Sequence, residues 1–100
     1  MQKEDLRKEM LAILNELIDG PLDWELEAVN GNEQDVTAMW DRIQLARTKA
    51  NIREMRSMLL EIMNGKLGWQ IYTTRRDLSY VYIFHSQIEK TLEKAKGKRK

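Results

Sequence analysis

The sequence predicts a mainly α-helical domain of about four helices, arranged as two pseudo-symmetric helix–hook–helix units. Three observations predict it. Residues 7–26, moved forward by 45 positions, fall on residues 52–71, and Glu9, Met10, Leu14, Glu16, Gly20, Leu22 and Trp24 land on Glu54, Met55, Leu59, Glu61, Gly65, Leu67 and Trp69. Apolar residues recur at helical spacing around each matched glycine. The composition, 42% hydrophobic and 33% charged in 100 residues, is that of one globular domain with one modest core. The expected domain spans 1–93, with repeat-like halves 6–50 and 51–93, followed by a basic flexible tail at 94–100.

Leu6, Met10, Ile13, Leu14 and Leu17 place an amphipathic helix over 3–19. Asp19-Gly20-Pro21 stops it: glycine suits a left-handed C′ position, and proline cannot continue the helix. Asn64-Gly65 is the matching stop. After each comes period-two alternation, Leu22, Trp24, Leu26 and Leu67, Trp69, Ile71, which predicts short extended segments over 22–28 and 67–72. Gly68, Ile71, Tyr72 and Thr73 favour strand in the second copy, so the two hooks are expected to pair as a ribbon that carries Trp24 and Trp69 into the core.

The following helices align best with a shift of 42. That places Asn32 and Thr74 as N-caps, with Asp35 and Asp77 at the third helical position. Residues 35–63 contain no Gly or Pro, yet their apolar stripe changes phase near 48–51, so the stretch is either one bent helix or two. The last helix shows Leu78, Val81, His85, Ile88 and Leu92 on one seam. Its start, Tyr80-Val81-Tyr82-Ile83-Phe84, is apolar all round, which demands burial on every side. Tyr80, Ile83 and Phe84 are therefore the expected self-association residues of a homodimer.

Several classes are disfavoured. There are no cysteines, hence no disulfide framework and no thiolate chemistry. No run approaches the roughly 18 apolar residues of a membrane span, and Met1–Asp5 lacks a signal-type apolar stretch; a soluble cytoplasmic protein is expected. No phosphate loop, nucleophile elbow or zinc spacing occurs. His85 is the one histidine, and a lone histidine on an apolar seam is usually structural. No catalytic, cofactor or metal residues are expected, and the chain is not expected to be an enzyme.

The charge is divided. Residues 1–40 carry three basic and ten acidic side chains, and residues 41–100 carry fourteen basic and six acidic. The halves either attract each other or form two surfaces for two partners. Arg42, Lys49, Arg53 and Arg56 would line one face of a continuous helix, and Arg75, Arg76 and the tail add to that supply of phosphate-binding groups. The order extended segment, helix, helix from Leu22 to Met63 resembles ribbon–helix–helix DNA binders, whose strand face reads the major groove. Here that face carries Asp23, Glu25 and Glu27, which phosphates repel, and the second copy has no second following helix. The leading functional expectation is a non-catalytic adaptor or regulator acting as a homodimer on a protein partner. The alternative is a nucleic-acid-binding regulator using the basic stripe and tail.

Overall fold

The computed structural model describes residues 3–73 and 78–97. The order is α1 (Lys3–Asp19), β1 (Glu25–Ala28), α2 (Glu33–Lys49), α3 (Ile52–Asn64), β2 (Trp69–Tyr72) and α4 (Leu78–Gly97). The chain is thus mainly helical, with one two-stranded antiparallel sheet. Helices α1 and α3 pack against each other and against both α2 and α4. Their buried stripes are Leu6, Met10, Ile13, Leu14, Leu17 and Met55, Met58, Leu59, Ile62. These apolar side chains at three- and four-residue spacing make one core into which the outer helices set Met39, Ile43, Ala46, Phe84 and Ile88.

The repeat is a true pseudo-two-fold. In the ribbon Glu25 faces Tyr72, Leu26 faces Ile71, Glu27 faces Gln70 and Ala28 faces Trp69. Leu26 and Ile71 are also each other's equivalents under the 45-residue shift, so the axis passes between them and exchanges the pairs Glu25–Tyr72 and Glu27–Gln70. The ladder runs on at one end, with Val29 N–H donating to Gly68 O at 3.1 Å and Asn30 N–H to Leu67 O at 2.8 Å. Asp23 (φ 53°) and Gly68 (φ 65°), equivalent positions, both enter the ribbon in the left-handed conformation.

The shift of 42 for the outer helices is corrected to 45. Buried Met39, Ile43 and Ala46 correspond to buried Phe84, Ile88 and Thr91. The seam through Leu78 and His85 is corrected with it: both are exposed, and the inward face of α4 carries Val81, Phe84, Ile88 and Thr91. Under the uniform shift α1 is the equivalent of α3, so it supplies the helix that the second copy lacks in sequence order.

The long Gly-free stretch is two helices. Ala50 takes the left-handed conformation (φ 52°) with its N–H on Ala46 O at 2.9 Å, and Asn51 caps α3 by accepting from the Glu54 N–H at 3.1 Å. At α2, the Asn32 side chain accepts from the Asp35 N–H at 3.1 Å, and Asp35 accepts from the Asn32 N–H at 2.9 Å. This is the expected capping box. Thr74 and Asp77 lie outside the described residues.

The two glycine stops work differently from the expectation. Gly65 is extended (φ −69°, ψ 162°), not left-handed. What both glycines allow is close approach. A Cβ at Gly20 would overlap the carbonyl of Glu16 and lie 2.6 Å from its carboxylate oxygen, and one at Gly65 would overlap the same groups of Glu61. The matched pairs Glu16/Gly20 and Glu61/Gly65 are one device used twice.

Candidate functional site

Three surfaces stand out, and each belongs to a different part of the pseudo-symmetric frame. The first is the start of α4. Leu78, Tyr82 and Ile83 are 65%, 68% and 63% exposed, and Tyr80 is exposed beside them. The segment expected to be buried on every side is therefore divided. Phe84, expected on the association surface, instead lies inside the fold at 4% exposure, stacked on Trp24 with ring centroids 4.6 Å apart. That stacking adds to the area term of two aromatic rings. Val81 points partly inward, and Leu78, Tyr80, Tyr82 and Ile83 form the outward apolar patch.

The second surface is the exposed face of the ribbon. Leu26 and Ala28 point into the core, while Glu25, Glu27 and Gln70 face outward. Tyr72 Oη donates to Glu25 Oε1 at 3.2 Å. Desolvation pushes the Tyr72 phenol above its ordinary pKa, helped by that hydrogen bond and by the negative charges of Glu25 and Glu27. The face is acidic, as the sequence implied.

The third surface lies at the far end of the molecule. Helix α2 leaves the ribbon and runs 17 residues, about 25 Å at the usual rise, before it ends at Lys49. There an open cleft of 890 Å³ is lined by Arg7, Lys49, Ala50, Asn51, Ile52, Arg53, Arg56 and Ala95. Ala50 and Ala95 are equivalents, as are Arg7 and Ile52, so the cleft straddles the pseudo-two-fold. The basic residues do not form a stripe on one helix, because the chain turns at Ala50. The turn instead gathers Lys49, Arg53 and Arg56 with Arg7 of α1. Arg42 is elsewhere: its Nη2 donates to Ser57 Oγ at 3.2 Å, in a separate depression with Leu45, Ala46 and Glu54. Arg75 and Arg76 lie outside the described residues. Arg7 was not legible as a site residue, since only the tertiary fold brings it to the joint.

The division of charge is in part answered inside the fold. Arg47 meets Asp19 at 2.5 Å and Lys94 meets Glu9 at 2.9 Å, each pairing the basic half with the acidic half. Lys94–Glu9 and Lys49–Glu54 (3.9 Å) are equivalent pairs, one tight and one loose. Helix α4 continues to Gly97, and residues 98–100 lie outside the described residues.

Equivalent side chains also diverge in the half-buried layer. Trp24 Nε1 donates to Glu16 Oε2 at 2.8 Å. Its counterpart Trp69 keeps a buried indole N–H with no partner among the described residues. His85 is exposed, with Nδ1 4.0 Å from Glu89. Among the described residues no three His, Cys, Asp or Glu side chains cluster as metal ligands do, and no helix is long and apolar enough to cross a membrane.

No protein family, no curated protein and no solved structure matches this chain.

Proposed function

We propose that this chain is a non-catalytic interaction protein, an adaptor or regulator that works as a homodimer joined through the first turns of α4. The observation that carries this reading is the exposed patch Leu78, Tyr80, Tyr82 and Ile83. It gains weight from the pseudo-symmetry. The equivalent positions in α2 are Glu33, Asp35, Thr37 and Ala38, which are acidic, polar or small. The same backbone position therefore folds without an apolar surface, and the apolar side chains of α4 are not required by the core beneath them.

Two copies can bring this patch together by a two-fold operation, each α4 covering the other, which is the commonest closed arrangement for a self-complementary surface. Burying several large apolar side chains at about 25 cal/mol per Å² supplies the driving force, and aromatic side chains are favoured at such interface centres. The experiment is sedimentation equilibrium of the full chain and of the double substitution Tyr82→Lys, Ile83→Glu. The reading expects a dimer that the substitutions convert to a monomer.

A further inference from the structure

We infer that the basic cleft at the α2–α3 joint binds the phosphate backbone of nucleic acid without reading its sequence. The inference goes beyond the dimer and does not depend on it.

Four cations from three helices line the cleft, Arg7, Lys49, Arg53 and Arg56, and no carboxylate shares the lining. Arg53 and Arg56 have no carboxylate partner among the described residues. The two cations that do have partners hold them weakly. Arg7 meets Glu4 at 3.3 Å and Lys49 meets Glu54 at 3.9 Å, all at the exposed surface. Pairs of this kind are screened by water and salt, and a phosphate displaces the carboxylate at little cost.

The symmetry shows that this concentration of charge is not imposed by the fold. The equivalent of Arg56 is Leu11, and the equivalent of Lys49 is Lys94, whose ammonium is held on both oxygens of Glu9 at 2.9 and 3.1 Å. On the α1–α4 side Lys94 is neutralised by Glu9, and Lys8, the equivalent of Arg53, does not line the cleft, whereas Lys49, Arg53 and Arg56 do.

The shape and charge of the cleft select the ligand. The cleft is open, and its remaining lining is Ala50, Asn51, Ile52 and Ala95. With no aromatic side chain to stack on a base, it favours backbone charge over base identity. Four cations spread along this open cleft exceed what one compact phosphate group can engage and suit a polyanion. The acidic ribbon face at the opposite pole repels the same polyanion, so the field of the molecule presents the cleft to it.

The test is binding of the full chain to a labelled mixed-sequence DNA duplex, with inorganic tripolyphosphate as a second probe. Between about 50 and 200 mM salt the affinity should fall steeply, since each duplex phosphate neutralised contributes about 0.9 to the log–log slope. The double substitution Arg53→Gln, Arg56→Gln should reduce that slope by about 1.8, the value for two lost contacts. Lys66→Gln, on an exposed side chain outside the cleft, should leave slope and affinity unchanged, and circular dichroism should show all variants folded. Duplexes of unrelated sequence should bind alike. Absence of duplex binding at the lowest salt would overturn the inference. So would a double variant with the full slope, or tight binding of tripolyphosphate without duplex, which would assign the cleft to a small polyphosphate.

Discussion

The first turns of α2 and α4 stand in equivalent places on the same pseudo-two-fold frame, and their outer surfaces are opposite in character. Beneath them the packing agrees: Val36 and Val81 are half-buried, and Met39, Ile43 and Ala46 match Phe84, Ile88 and Thr91 in the core. Above them α2 carries the Asn32–Asp35 capping box and acidic or small side chains, while α4 exposes Leu78, Tyr80, Tyr82 and Ile83. The comparison separates two demands on one sequence. Inward positions are held alike by packing, because a core tolerates little change of volume. Outward positions are free to diverge, and there α2 and α4 differ from acidic or small to large and apolar.

The strongest challenge to this equivalence is a matched pair of core truncations. Ile43→Ala and Ile88→Ala each remove a fully buried side chain at the same place in the two halves. Each should lower unfolding stability by about 2–5 kcal/mol in urea denaturation. A cost below about 1 kcal/mol at either position would break the alignment of α2 with α4.

A middle-sized effect is expected where the halves differ by one hydrogen bond. Glu16→Ala leaves the Trp24 indole N–H unpaired and should cost about 1–3 kcal/mol. Glu61→Ala should cost less, because Trp69 makes no such bond. The same denaturation experiment decides between them, and a larger loss at Glu61 would reverse the assignment.

The smallest effect sharpens the comparison through its sign. Ala50 is left-handed at the α2–α3 joint, whereas its equivalent Ala95 is inside α4. Ala50→Gly removes a Cβ from an unfavourable conformation and should stabilise by about 0.5–1 kcal/mol. Ala95→Gly should destabilise by a similar amount, since glycine inside a helix costs about that much relative to alanine. Thermal melts of the two variants should move in opposite directions.

Much of this architecture was legible in the sequence, for identifiable physical reasons. The helices around Met10 and Leu59 and the alternating hooks around Trp24 and Trp69 follow from hydrophobic periodicity, which burial enforces directly. The break near residue 50 showed as a change of phase in that stripe. The register of α4 was not legible in the same way. Tyr80–Phe84 is apolar on every side, so periodicity does not choose its inward face, and Leu78, Val81, His85, Ile88 and Leu92 make an equally regular seam. The repeated spacing of Glu16 with Gly20 and Glu61 with Gly65 held the signal for the glycine stops, but the close approach depends on how the last helical turn folds back on its glycine, which spacing does not report. Of the basic residues, Lys49, Arg53 and Arg56 come together because the chain turns at Ala50, a consequence of one left-handed residue that no periodicity reports. Arg7 joins them through tertiary packing alone, and Arg42 leaves them for Ser57 because it lies two turns back along α2.

The central claim is that the apolar surface of α4 exists for association and not for folding, and sedimentation equilibrium tests it most directly. The chain should sediment at micromolar concentration with twice its mass of 11.9 kDa. The Tyr82→Lys, Ile83→Glu variant should sediment as a monomer with an unchanged circular dichroism spectrum, as exposed positions outside the core allow. A parent chain that stays monomeric at every concentration, or a variant that remains dimeric, would contradict the account.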